Sequence, residues 1–485
     1  MSRINTNVPA LVARHNLAKS NADLKVRLER LSTGLAINRG ADNPAGLIVS
    51  ERLRSEIQGV GQAIDNAERA ANVIATAEGA LAEVSTLLTS IKALIVEAAN
   101  TGAFSQAEIE ANQLQIDSAV ESITRISNTA SFAGLKLLNG SLDYLVSGVD
   151  TGVFTDVRVY GANFGTDTSI PVSVDVLQSA QRAQLFVSAG GNPIVSALVS
   201  SVTFEVTGNR GVEVFTFVSG TALSAVVAAI NRTSDATGVS ASLVNGSGFV
   251  MTSLGFGSDA FVSVRKLDKG KFFQTLDAMD GSPVIRDTGE DVLALVNGNL
   301  ALGRGTRVTL KSSVLNVELN LTETAAQTLT SGTPHTFTIT GGGAKFQVGP
   351  SVNSSQQIGF GIQSVAASHL GDNTVGFLSS IMSGGDNSLL AGRAREASQI
   401  VDLAIEQIAT LRGRLGAFER NTLQTAVRSS QIALENLTAA ESQIRDTDFA
   451  EETSRLTRAQ ILVNAGTSTL AIANSAAQNV LSLLG

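Results

Sequence analysis

The chain has 485 residues, no cysteine, no tryptophan and a formal net charge of −8. That length accommodates two to four domains, the missing thiols exclude disulfides, thiolate catalysis and Cys-ligated metals, and the net acidity argues against general nucleic-acid affinity. Residues 1–50 carry seven Lys or Arg against three Asp or Glu, an excess that reads as solvated helix surface. The first 22 residues hold no continuous apolar run. A cleavable secretory signal is therefore not expected, and export needs another route.

In chain order, Leu17, Leu24, Leu28, Leu31 and Leu35 form the first apolar helical row. Asn38 to Asp42 reads as a linker, and Asn43 before Pro44 is a helix start, because Asn caps free amides and Pro fits the first helical position. A long helix follows, with Ile57, Val60, Ile64, Ala67, Ala71 and Ile74 continuing through Leu81, Val84, Leu88, Ile91, Ile95 and Ala98. Asn100-Thr101-Gly102 breaks it. The next helix has the row Ile109, Leu114, Ile116, Val120, Ile123 and Ile126, and Gly134 closes the helical zone.

The middle of the chain is predicted to be sheet-rich. It holds 15 of the 19 Phe, between Phe154 and Phe377. Alternation is clearest at Leu315, Val317, Leu319 and Leu321, the mark of a half-buried strand. Residues 202–264 read as a ββαββ module, with strands around Phe204, Phe215 to Phe217, Val239 to Leu243, Phe249 to Met251 and Phe261 to Val264, and a helix carrying Leu223, Val227 and Ile230. Gly384-Gly385 ends this zone. Helix resumes through Ile400, Leu403, Ile408, Leu411, Leu415 and Phe418 towards Ile444, and breaks at Arg445-Asp446-Thr447. Asp448 with Glu451 three residues on resembles a capping box.

The last helix then shows Leu456, Ala459, Val463, Gly466, Leu470, Ala473, Ala477, Val480 and Leu484 at unbroken spacings of three and four, a heptad seam. It has no charge beyond Arg458, yet Gln, Asn, Ser and Thr interrupt it too often for a membrane span. Such a helix needs partner helices. The leucine row near the N-terminus is a matching seam, within the same copy or on a neighbour.

Chemistry is sparse. His15, His335 and His369 are too scattered for an H-E-x-x-H site, and Gly270-Lys271 has Arg265 where a phosphate loop needs its first Gly. Glu451 and Glu452 sit at a helix start, where negative charge is stabilising by about 0.3–1 kcal/mol, so a catalytic carboxylate pair is not inferred. Neither a catalytic residue, a cofactor nor a metal is expected.

Three stretches resemble bacterial flagellin: the opening from Ser2 to Val8, RLSTGLAINRGADNPAGLIVSER from Arg30 to Arg52, and ESQIRDTDFAEETSRLTRAQIL from Glu441, closing in NVLSLL. A fainter likeness at Lys345 to Leu370 is similar to that family's returning inner strands, and the ββαββ module resembles one inserted in flagellins and filament-cap proteins. The resemblance implies an α+β fold, in which a long α-helical coiled-coil hairpin formed by both termini carries inserted β-rich outer domains. It places a terminal filament-core domain at 1–44 and 448–485, a helical inner domain with flanking strands at 45–175 and 340–447, and β-rich outer domains at 176–339. The implied function is a structural subunit polymerising into the flagellar filament for motility, extracellular and exported without a cleaved signal. The alternatives are a hook–filament junction or other flagellar axial protein, and a secreted adhesin with a helical stalk.

Implied partners are further copies of the chain, an export chaperone and export apparatus, and hook-associated junction and cap proteins, but neither nucleic acid nor a membrane span. The assembly seam is assigned to Leu17, Leu24, Leu28, Leu31, Leu456, Ala459, Val463, Leu470, Ala473, Ala477, Val480 and Leu484. A host Toll-like receptor reads, in responsive flagellins, an Arg at the position of Ser90, a Leu at that of Leu94 and an acidic residue at that of Gln115. This chain keeps only the Leu. Lys92 substitutes for the Arg at most in part, because an ammonium cannot reproduce a guanidinium fork, so poor stimulation is expected.

Overall fold

The computed structural model describes residues 6–188, 197–244, 248–268, 273–277, 281–312, 314–330 and 332–482, with side chains as far as Ser475. Contacts divide the chain into two units, one of Met1–Arg69, Gln347–Val352 and Arg420–Gly485, the other of Ala70–Phe346 and Asn353–Glu419.

Seven helices of eight or more residues carry the helical part: α1 (Val8–Thr33), α2 (Pro44–Ala98), α3 (Gln106–Thr129), α4 (Leu223–Arg232), α5 (Ala394–Phe418), α6 (Gln424–Arg445) and α7 (Phe449–Ser482). Their ends follow local chemistry. Asn7 caps α1 by accepting from Ala10 N at 3.1 Å, and Gly34 ends it at φ +73°, a conformation that favours glycine. Asn43 Oδ1 accepts from Gly46 N at 2.9 Å beside Pro44, and Ser105 with Glu108 forms a complete capping box on α3. On α7 only half of the expected box exists. Asp448 accepts from Ala450 N and Glu451 N, while the Glu451 carboxylate pairs with Arg455.

Helix α2 passes a length-and-composition test for membrane crossing. Its stripe from Ile74 through Leu81, Val84, Leu88, Ile91 and Ile95 is buried within the protein, as in a core helix of a soluble fold. In the second unit α5 runs antiparallel beside α2. Lys92 Nζ lies 2.5 Å from both Ser398 Oγ and Asp402 Oδ2, and Glu78 reaches Arg412 at 3.9 Å. The expected α3 row needs one correction, because Leu114 is 67% exposed and Gln113 is buried instead. Counting three back from Ile116 lands on Gln113, whose amide donates to Ile381 O at 2.9 Å and accepts from Leu389 N at 2.8 Å. Hydrogen bonding lets the polar side chain occupy the core position.

The strands are β1 (Tyr144–Ser147), β2 (Phe154–Ala162), β3 (Ile170–Gln178), β4 (Gln184–Ser188), β5 (Val202–Gly208), β6 (Val212–Phe217), β7 (Val239–Val244), β8 (Gly248–Ser253), β9 (Phe261–Lys266), β10 (Gln274–Asp277), β11 (Arg286–Thr288), β12 (Leu293–Val296), β13 (Asn299–Arg304), β14 (Arg307–Lys311), β15 (Leu315–Leu321) and β16 (His335–Gly342). Eight form one antiparallel sheet in the order β1-β16-β3-β12-β13-β14-β15-β2. Its inward face buries Val172, Val174, Val317, Leu319, Phe154 and Phe337, the last two meeting edge-on at 5.6 Å. The residue positions 175/176 and 339/340 fall inside β3 and β16, which pair with each other.

Eight more make two four-stranded sheets, β10-β4-β8-β7 and β11-β9-β5-β6, around a core of Leu185, Phe204, Val226, Ile230, Phe249 and Met251, and three short two-stranded sheets pair Ser131–Phe132 with Leu135–Lys136, Ala344–Gln347 with Gln357–Phe360 and Gly371–Asp372 with Gly376–Phe377. Helix α4 contributes to that core. The 202–264 stretch shows the ββαββ element order followed by β9, but its two hairpins enter different sheets, each completed with strands from outside it. Chain entry and exit meet at an antiparallel bridge, with Gln181 N to Glu290 O at 2.9 Å and Glu290 N to Gln181 O at 3.1 Å.

Candidate assembly interface

Both chain ends meet in the first unit as an antiparallel helix pair. At its closed end Leu35 bridges Asp446, with Ala36 N donating to Arg445 O at 2.7 Å and Thr447 N to Gly34 O at 2.9 Å. At the open end the Asn7 amide donates to Ala473 O at 2.9 Å, across 466 residues of sequence. These contacts fix the antiparallel alignment of α1 against α7 at both ends.

Most of the expected seam faces this contact. Leu17, Leu24, Leu31, Leu456, Val463, Leu470 and Ala473 are half-buried, and Ala459 is buried. A Cβ on Gly466 would stand 3.2 Å from Leu17 Cδ1, so a larger residue there would require the leucine to shift. Leu28 is 49% exposed. It lies one position beyond the row 10, 13, 17, 20, 24, 27, 31, which also takes in Ala10, Ala13 and Ser20. The side chains of Ala477 and Val480, and Leu484 altogether, lie outside the described residues.

Two seam residues were missed by a search for apolar rows. Arg27 Nη1 donates to Glu452 Oε1 at 3.1 Å, Arg27 Nη2 donates to Asp23 at 2.8 Å, and the Glu452 side chain is almost fully buried. Counting three on from Leu24 and four back from Leu456 finds both. Long-range ion pairs reward the same spacing rule as leucines, provided charged residues are admitted to it.

The pair also leaves apolar side chains exposed. Val8, Leu11, Val12 and Leu28 on α1, and Phe449, Ile461, Leu462 and Ile472 on α7, are all exposed. Apolar surface of this extent on a helix pair is stabilised only by covering it.

The expected receptor positions lie on the second unit. Ser90 is exposed and its hydroxyl donates to Thr86 O at 3.1 Å; Leu94 is half-buried and Gln115 exposed. Lys92 is engaged by Ser398 and Asp402 on α5.

Elsewhere in that unit a polar cavity of about 410 Å³ is lined by Asp143, Asp156, Arg158, His369, Asp372 and Gln407, among others. Burial pushes the Asp143 carboxyl up to about 6, aided by the nearby Asp156 charge and opposed by a hydrogen bond from Tyr144 N. Asp156 is also raised, because burial outweighs its Arg158 partner at 2.5 Å. Among the described residues there is no group of three side chains with metal-ligating geometry.

Comparison with known proteins gives three family matches: the bacterial flagellin N-terminal helical region over residues 4–143, the bacterial flagellin C-terminal helical region over 398–484, and the flagellin hook IN motif over 203–255. The chain is 30% identical over 524 residues to flagellin of Salmonella typhimurium, and 28% identical over 527 residues to flagellin A of Helicobacter pylori; each alignment covers 99% of both chains. Among solved structures, the D1-D2-D3 domains of the flagellar cap protein FliD from Escherichia coli are similar at 17% identity over 54% of this chain and 63% of that one, with a TM-score of 0.29.

Proposed function

Because the chain belongs to the bacterial flagellin family and is a structural subunit of the extracellular flagellar filament rather than an enzyme, we propose that it polymerises through the α1–α7 pair. One observation carries this reading. The inward seam is used within a copy, and the outward row of Val8, Leu11, Ile461 and Ile472 is left for neighbours. Every copy then presents the same apolar strip, and lateral stacking buries it at about 25 cal/mol per Å². A junction protein or a stalked adhesin is not favoured by matches that span the chain end to end.

The terminal helices form the filament-core layer in this reading, the remaining helices an inner layer, and the β-rich region an addition to both. Export proceeds through a channel in which a tail uncharged beyond Arg458 meets little electrostatic retention. Charged substitutions between Gln460 and Asn479 should shorten filaments. An export chaperone, the export apparatus and the junction and cap proteins complete the partner set. Elongation of purified chain on filament seeds, followed by electron microscopy, tests the function: long helical filaments support it, and short caps or persistent monomers refute it.

Recognition by the flagellin-sensing Toll-like receptor should be poor. Ser90 offers no guanidinium, and Lys92 is turned to Asp402 on α5. An Arg anchor at an interface is commonly worth 2 kcal/mol or more, or roughly thirtyfold in affinity. A reporter assay should show a reduced response that Ser90→Arg raises; a response equal to that of an Arg-bearing flagellin would refute the assignment.

A further inference from the structure

The leucines of α1 and α7 do not by themselves choose a partner. Leu17, Leu24 and Leu31 would fill a groove on another α1 as well as on α7, and a slip of one heptad still sets apolar against apolar. Polymerisation brings many copies of both helices together, so a device for discrimination is required.

Arg27 and Glu452 have the properties of one. Both occupy seam positions, and Glu452 is only 3% exposed, with Arg27 Nη1 donating to it at 3.1 Å and Arg455 3.9 Å away. In an α1–α1 pair Arg27 would keep Asp23 of its own helix but lose Glu452, and in an α7–α7 pair Glu452 would lose Arg27 and keep only Arg455 at 3.9 Å. A slip of one heptad sets Glu452 towards Ser20 or Gly34, neither of which carries charge. Burying a charge without its partner is strongly disfavoured, whereas replacing both partners by apolar side chains often is not. The pair therefore adds little to stability and much to selectivity.

We propose that the Arg27–Glu452 ion pair is a pairing code that confines the terminal helices to the α1–α7 partnership in one antiparallel alignment. The inference rests on the filament-subunit reading above. The Leu35–Asp446 bridge sets the alignment where the helices meet, and the ion pair carries it into them; Leu17 against Gly466 repeats the choice further along.

The absence of cysteine makes the test direct. Ser20→Cys alone reports α1–α1 proximity as disulfide-linked dimers, and Ser20→Cys with Val463→Cys reports aligned α1–α7 pairing as an internal crosslink. In otherwise unaltered, polymerising protein the internal crosslink should dominate. With R27M and E452L combined, the ratio of internal crosslink to dimer should fall about tenfold, while circular dichroism of the β-rich region is unchanged. R27E or E452R singly should also lower it, and R27E with E452R should restore the original ratio. An unchanged ratio in R27M/E452L, or a charge-swapped double no better than its singles, would overturn the code. Failure of the unaltered, cysteine-free chain to polymerise would instead refute the filament reading.

Discussion

Asp143 shows how one side chain makes the fold sensitive to pH. Its folded-state value is raised to about 6 by burial, so the fold favours the protonated acid. The stabilisation is fully present below the ordinary carboxylate range and is lost as pH rises through about 6. Thermal unfolding of the second unit should therefore lose roughly 1–2 kcal/mol between pH 5 and pH 8 from this group, after allowance for solvent screening. Asp143→Asn should flatten that part of the profile; an unaltered profile would show that Asp143 does not carry it. On the seam, Leu470→Asp places a charge between α1 and α7 and should abolish polymerisation while the β-rich region stays folded. Normal assembly would place Leu470 outside the seam. At this scale the sequence was legible where burial follows hydropathy, as at Leu17, Leu24, Leu456 and Val463. It was opaque where a hydrogen bond or an ion pair buys burial for a polar group, as at Gln113, Arg27 and Glu452, and where one position of drift turns a leucine outward, as at Leu28 and Leu114.

Elements were read more securely than residues, because their ends are fixed by local chemistry. Asn43-Pro44, Asn100-Gly102 and Arg445-Asp446-Thr447 each mark a helix boundary that needs no tertiary information, and the alternation at Leu315 to Leu321 survives as a strand buried on one face. Sheet membership was not legible. Which strand pairs with which depends on long-range closure, and the two hairpins at 202–217 and 239–253 gave no sign that they join different sheets. The neck at Gln181 and Glu290 is a product of that closure. Residues exchanging two backbone hydrogen bonds lie about 5.5 Å apart at Cα, a gap a short turn spans. Deleting residues 182–289 and joining the ends through a two- to four-residue turn should leave the eight-stranded sheet folded, with a sigmoidal melt and normal filament formation. Loss of the cooperative transition would show that the two-sheet module supports its neighbour.

For the whole molecule, the helix pair is expected to belong to the assembled state. Ordering a chain costs about 1–2 kcal/mol per residue, and a single two-helix contact with half-buried leucines offsets little of it. Limited proteolysis of the monomer should cleave within α1 and α7 and spare the β-rich middle, and filaments should resist at the same sites. Equal protection in both states would contradict this. The seam periodicity made the need for partner helices visible in the sequence, but the division into an inward and an outward row was not, since both are apolar and only the packed pair tells them apart. That division is most directly tested at Ile472, which is 68% exposed on α7. Seeded elongation of Ile472→Asp beside the unaltered chain, scored by electron microscopy, should give long filaments from the unaltered chain and monomers from the variant, whereas filaments of equal length from Ile472→Asp would contradict assembly through the outward row.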